Sequence, residues 1–256
     1  MRVVIVGASS GLGRCVAMGL GAGGHDVALL ARRKDRLEHT VEEILAGEHA
    51  GSATAIACDV TDEAGCEAAI ARAAEELGGI DALVYATGMG VLGRLADTGA
   101  ETWTSTLLTN VVGAATATRA ALPHLQASDG RALYFSSVSA SMTPAWPGLG
   151  AYISSKAALD KMVEAWRVEH PEVGFTRLVV GDCGGGEGDS AIGFTQGWDM
   201  DLATEIGRTW YEKGYIAGAL LDVGDLVDAI EGVIGLGASA VVPTMAVLPR
   251  VPSAAG

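Results

Sequence analysis

Seven apolar runs rich in valine, leucine and isoleucine recur at 2–6, 27–31, 53–57, 82–86, 132–135, 175–180 and 240–248, and helix-like segments separate most of them. Such runs suit strands buried on both faces, so their alternation with helices predicts an α/β chain built on a doubly wound, seven-stranded parallel sheet flanked by helices. The helices are expected at about 12–22, 34–46, 63–77, 100–126, 151–169 and 224–236. Right-handed crossovers place the strand ends along one edge, where ligands bind in sheets of this kind. Between Gly184 and Gly218 the pattern breaks into a glycine-rich stretch bearing Phe194, Trp198, Trp210, Tyr211 and Tyr215. No internal repeat, low-complexity linker or charge run marks a boundary, so a single domain over 1–256 is expected, with the segment at about 187–216 as a lid over the site.

Composition narrows the partners. With 49% hydrophobic and 19% charged residues, the 256-residue chain can bury a large core or hide part of its surface in an oligomer. A net charge of −14 argues against a nucleic-acid partner, which needs a basic face. Cys15, Cys58, Cys66 and Cys183 show no C-x-x-C pairing and no clustering with the five histidines, so reduced thiols and no metal site are expected. The first strand starts beside Met1 and no apolar run reaches membrane-spanning length. These features lead to the expectation of a cytoplasmic protein without a membrane partner.

The first strand runs straight into Gly7-Ala8-Ser9-Ser10-Gly11-Leu12-Gly13 and then a helix. Gly7, Gly11 and Gly13 lack the Cβ that would block close backbone approach, and the N–H groups of a first helical turn attract an anion, so the turn can hold a phosphate. About 20 residues on, the second strand ends in Ala31-Arg32-Arg33. An acid there would bind ribose hydroxyls, whereas its absence beside a guanidinium suits a 2′-phosphate; Arg32 is the first choice for that contact, and Arg33 reads as a solvated arginine at a helix start. Asp59 and Val60, after the third strand, offer a carboxylate and backbone groups where an adenine would lie, and Asp59 serves equally as a helix cap.

Tyr152 and Lys156 stand four residues apart, so on a helix they share one face. A phenol is a poor base at neutral pH, but a nearby ammonium favours the phenolate and lowers its pKa. The pair follows a strand, 132–135, that delivers Ser136 and Ser137 to the same edge. Asn110 falls inside a long helix, where an asparagine is unfavourable unless its amide holds a water or a distorted carbonyl.

These pieces, with Gly88 after the fourth strand, resemble the short-chain dehydrogenase/reductase family in order and near-family spacing over almost the whole chain. The resemblance implies a Rossmann-type sandwich and an NADP(H)-dependent oxidoreductase that interconverts a carbonyl and a secondary alcohol. Tyr152 would be the general acid/base. Lys156 would bind the nicotinamide ribose and lower the tyrosine pKa. Ser137 would hold the substrate oxygen, and Asn110 would support a water in a proton relay. The implied cofactor residues are Gly7, Ser9, Ser10, Gly11, Leu12, Gly13, Arg32, Asp59, Val60, Gly88, Tyr152 and Lys156.

Three departures from the family pattern stand out. Tyr85-Ala86-Thr87-Gly88 replaces the usual Asn-Asn-Ala-Gly, which bears on local strand bracing. Ser137 precedes Tyr152 by a longer gap than usual, a spacing that Ser139 would restore from beyond the strand end. Gly181-Asp182 stands where the family has Pro-Gly after the sixth strand, which bears on how the nicotinamide and substrate are held. The aromatics at Trp146, Phe194, Trp198, Trp210 and Tyr211 suit an apolar or ring-bearing substrate, or plain packing. A homodimer or homotetramer is expected through the helices at 100–126 and 151–169, with Ala114, Ala115, Ala117, Ala120 and Ala121 as a close-packing surface. The rival reading is a non-catalytic NADP(H)-binding sensor or scaffold, which would have no use for all four of Asn110, Ser137, Tyr152 and Lys156. Epimerase or dehydratase chemistry on a nucleotide sugar predicts a longer segment after Lys156.

Overall fold

The computed structural model describes residues 1–185, 193–216 and 218–250. Seven parallel strands, β1 (Arg2–Val6), β2 (Asp26–Ala31), β3 (Ala53–Ala57), β4 (Ala82–Tyr85), β5 (Arg131–Ser137), β6 (Gly174–Val180) and β7 (Thr244–Val247), form one sheet in the order β3-β2-β1-β4-β5-β6-β7. The expected sheet is therefore observed, although the last run pairs only over its final part. Between the strands lie α1 (Gly11–Ala22), α2 (Lys34–Leu45), α3 (Glu63–Leu77), α4 (Ala100–Leu107), α5 (Gly113–Ala127), the short α6 (Val138–Ser141) and α7 (Gly150–Glu169). After β6 come α8 (Met200–Glu212) and α9 (Val223–Ile234).

The period of two along each strand divides the core into two layers. Val4, Val6, Leu30, Leu83, Tyr85 and Tyr134 face one way, onto α3, α5 and α7. Val3, Ile5, Leu29, Val84, Leu133 and Phe135 face the other, onto α1, α2 and α9. Both faces of β1 are thus dry, which explains why its sequence is a continuous apolar run rather than an alternation. Each such Val, Leu or Ile contributes about 1.5–3 kcal/mol by leaving water.

Three expectations need correction. The helix foreseen over 100–126 is broken by a π-helical turn at Leu108–Val112, between α4 and α5. Of the α5 alanines expected as a close-packing surface, Ala114, Ala117 and Ala121 are fully buried against the sheet, and only Ala115 and Ala120 stay partly exposed. The segment after β6, read as an irregular excursion, contains α8. None of the four cysteines forms a disulfide. Among the described residues no helix is long and apolar enough to cross a membrane.

Candidate active site

The strand order reverses between β1 and β4, and the carboxyl ends of β1 through β5 line one edge of the sheet. At β1 the glycine turn is tied to its neighbour by Gly7 N–H donating to Leu30 O at 2.7 Å. Gly7 has φ +98°, and a Cβ there would stand 2.7 Å from the Thr87 nitrogen, so the turn and the loop after β4 touch backbone to backbone. A Cβ on Gly13 would run into the Gly7 carbonyl, so α1 sits close against the turn because position 13 is glycine. Leu12 packs into the layer below, and Gly11 opens α1. Ser10 occupies the cap position of α1 but makes no side-chain cap bond, which leaves the first-turn N–H groups directed at the edge.

The Ser10 hydroxyl accepts from Arg33 Nη2 at 2.8 Å, and the Ser9 hydroxyl accepts from the same nitrogen at 3.0 Å. The guanidinium on the glycine turn is therefore that of Arg33, which is solvent-exposed as expected but also reaches both serines. Arg32 is exposed and lies by the Asp59 carboxylate. Asp59 Oδ1 accepts from the Thr61 N–H at 3.0 Å and the Thr61 hydroxyl at 2.7 Å, and these bonds, with the Arg32 charge, hold its carboxyl below the usual range. Asp59 thus caps the local turn, while the cap position of α3 is Asp62. Val60 is buried behind it.

At the end of β5, Ser137 Oγ lies 2.8 Å from Ser139 Oγ and accepts from the Ser139 N–H at 3.2 Å. Both serines therefore belong to one strand-end turn, and it is Ser137 whose hydroxyl lies by the Tyr152 phenol. One turn along α7, Lys156 is 3% exposed and donates from Nζ to Phe135 O at 2.6 Å. Its Nζ stands 5.8 Å from the centre of the Tyr152 ring. Gly88 leaves room for that ammonium, since a Cβ would come within 3.3 Å of Nζ.

Burial pushes the Tyr152 phenol up to about 12; the Ser137 bond opposes this and the Asp160 charge adds to it. Burial also pulls Lys156 down to about 8, against the pull of Asp160. The phenol is thus raised in the protein alone, and the expected lowering by the lysine does not appear. Asp160, one further turn along α7, is buried and pairs with Arg177 Nη1 at 3.3 Å. The sequence reading missed this third member of the helical stripe at 152, 156 and 160, although the four-residue spacing was visible.

Asn110 sits in the π turn and is fully buried. Its Oδ1 accepts from Met89 N–H at 2.7 Å, and its Nδ2 donates to Met89 O at 3.0 Å and to Ser155 Oγ at 2.8 Å. Ser155 in turn donates to Tyr152 O at 2.6 Å. The Asn110 amide is therefore spent on backbone and on Ser155, a residue the sequence reading passed over. Across the site, Phe194 meets the Tyr152 ring edge-on at 5.0 Å, and Trp198, Trp210 and Trp146 continue the ring contacts outward. Residues 187–192 of the expected lid, and Gly186, lie outside the described residues. In place of the family Pro-Gly, Asp182 O accepts from Leu221 N–H at 2.8 Å and Cys183 bridges Leu221 in parallel, so the chain runs on beside residue 221.

A family model described as short chain dehydrogenase matches residues 1–185. A short chain dehydrogenase of Pseudocercospora fijiensis is 35% identical over 171 residues, covering 65% of this chain and 53% of that one. The oxidoreductase UcpA of Salmonella typhimurium is 36% identical over 172 residues, covering 67% and 64%. Each match spans less than two thirds of the relative's own length. Among solved structures, an alcohol dehydrogenase from the archaeon Thermococcus sibiricus complexed with 5-hydroxy-NADP superposes with a TM-score of 0.79 at 25% identity, covering 96% of this chain and 94% of that one.

Proposed function

The chain belongs to the short chain dehydrogenase family, and from that premise we propose that it is an NADP(H)-dependent oxidoreductase interconverting a carbonyl and a secondary alcohol. The observation that carries the proposal is the partly buried Tyr152 at the ligand-binding edge, with Ser137 beside its phenol and the buried ammonium of Lys156 5.8 Å from its ring centre. NADP(H), when bound, supplies or takes up the hydride. The residues present fit that cofactor. The close-packed glycine turn with open helical N–H groups suits a pyrophosphate, and the Ser9, Ser10 and Arg33 cluster, with Arg32 beside it, suits a 2′-phosphate.

In the reductive direction Ser137 Oγ and Tyr152 Oη hydrogen-bond the carbonyl oxygen and stabilise the charge that develops there. Tyr152 gives its proton to the forming alkoxide. A phenol near 12 is a ready donor at neutral pH and a weak base, so oxidation needs the lysine field to outweigh burial once ligands fill the site. Lys156 holds the nicotinamide ribose and faces Tyr152, and Asn110 fixes the α7 backbone through Ser155. The ring-lined cover supports an apolar or ring-bearing small-molecule substrate, and residues 193–216 act as a lid. The protein works as a homodimer or homotetramer in the cytoplasm.

A screen of NADPH oxidation against ketones, aldehydes, quinones and β-ketoacyl thioesters tests this reading. Turnover of at least one class that is lost in Tyr152→Phe is expected. NADPH binding without turnover of any class would instead favour a sensor or scaffold.

A further inference from the structure

We propose that Tyr85 is a positioning residue for the proton-transfer site: its hydroxyl holds the one-residue slip in the helix at 108–112 that turns Asn110 onto Met89 and Ser155. This rests on the oxidoreductase reading above. Tyr85 ends β4, is fully buried, and stands where the family pattern has asparagine. A phenol in a dry parallel sheet is unfavourable unless its hydroxyl is satisfied. Here Oη donates to Thr109 O at 2.6 Å.

That carbonyl needs a donor for a specific reason. In an α-helix Thr109 O would accept from the N–H of Gly113, four residues on, but the Gly113 N–H goes to Leu108 O, five residues back. The slip removes the helical donor from Thr109 O, and Tyr85 supplies another. The fit is matched from the other side, since a Cβ on Gly113 would stand 2.8 Å from Tyr85 Oη and 2.8 Å from Val60 Cβ. The phenol reaches the carbonyl because position 113 is glycine.

One residue of register is about 100° of rotation around a helix, so the slip decides which way Asn110 faces. As observed, Asn110 makes all three of its side-chain bonds to Met89 and Ser155, and Ser155 holds the backbone carbonyl of Tyr152 itself. Met89 follows Gly88, which lies against the Lys156 ammonium. Through these contacts the slip reaches both Tyr152 and Lys156. Tyr85 touches neither, so its action runs through the helix.

The test compares wild type, Tyr85→Phe, Gly113→Ala and the double variant, each as full chain with NADPH and a carbonyl found active in the screen. Tyr85→Phe removes one oxygen from the core. It is expected to lower kcat about tenfold while leaving NADPH affinity and KM within about twofold, since a shift of the reacting groups acts on the chemical step. Gly113→Ala, which pushes the hydroxyl off Thr109 O, is expected to lower kcat to a similar degree, and the double variant no further than the larger single loss. Crystal structures of the two single variants should show the Asn110 to Ser155 bond broken. Unchanged kcat in Tyr85→Phe would overturn the proposal, as would a loss of kcat, NADPH affinity and melting temperature in step. Should wild type turn over no carbonyl, the oxidoreductase reading fails separately, and the crystal structures decide alone: a π turn and an Asn110 to Ser155 bond retained in Tyr85→Phe overturn the positioning role.

Discussion

The strand-end wall of the site, from the Gly7 turn through Ser137 to α7, is fixed by sheet register and by polar bonds among buried groups, whereas the opposite wall is held by rings. Asn110, Ser155, Lys156 and Phe135 O are joined by bonds of 2.6–2.8 Å or lie one bond away, and nearly all are inaccessible to water. Phe194 and Trp198 by contrast are only half-buried, and the cover is anchored by indole N–H bonds from Trp198 to Gly90 O and from Trp210 to Pro147 O, both 2.9 Å. Directional bonds in a dry region fix one geometry, while ring contacts tolerate rearrangement. The reaction should therefore depend on the first wall and selectivity on the second.

The sharpest way to break this division is Tyr152→Phe. Removing the transferable proton while the ring still packs should lower kcat about 10²–10⁴-fold with NADPH affinity kept, as read by steady-state rates and fluorescence titration. Next in size is the cost of burying Lys156. Its pKa falls from 10.5 to about 8, so folding releases its proton between those values. The stability this group contributes is present above 10.5 and is lost as pH falls through 8. Tyr152 runs the other way: raised from 10.0 to about 12, it contributes stability below pH 10 that is lost as pH rises through 12. Lys156→Met should thus be inactive yet about 1–3 kcal/mol more stable than wild type near pH 7, with the advantage shrinking near pH 10, as measured by urea unfolding.

A smaller effect is expected at the β2 end. Arg33→Ala should weaken NADPH about tenfold and leave NADH nearly unchanged, since its guanidinium sits on the Ser9 and Ser10 hydroxyls. Arg32→Ala sharpens the assignment, because an equal or larger loss there would restore the sequence-based choice. On the ring wall, Phe194→Ala should raise KM about threefold to tenfold and change the order of substrates while kcat holds, a loss of about 0.5–1.5 kcal/mol. Amides of 193–216 should exchange more slowly with NADPH and substrate present, and equal exchange would argue for a fixed cover. Arg94→Ala, which cuts an exposed ion pair to Glu205 at 2.5 Å, should change stability by less than about 1 kcal/mol.

The same division explains what the sequence could reveal. Strands with both faces dry read as apolar runs, so the sheet and the positions of Ser137, Tyr152 and Lys156 along it were legible. The glycine turn was legible because its backbone contacts exclude a Cβ. Pairings set by three-dimensional neighbours were not. Whether Arg32 or Arg33 reaches Ser9 depends on the rotation of the chain between β2 and α2, and nothing local encodes the π turn that redirects Asn110. The helix α8 did leave a signal, since Asp199 accepts from the N–H groups of Asp201 and Leu202 as a cap and Leu202, Ile206 and Trp210 recur at helical spacing. The surrounding glycines and the loss of strand alternation masked it.

The central claim is hydride transfer to a carbonyl whose oxygen Tyr152 protonates, and the most direct measurement follows the hydride itself. NADPH carrying deuterium at the nicotinamide C4 is incubated with the protein and a carbonyl found active in the screen, and the alcohol is read by mass spectrometry. The account predicts one deuterium on the carbinol carbon with wild type and almost none formed in the same time by Tyr152→Phe. Alcohol formed without deuterium from either C4 position, or label transfer undiminished in Tyr152→Phe, would contradict it.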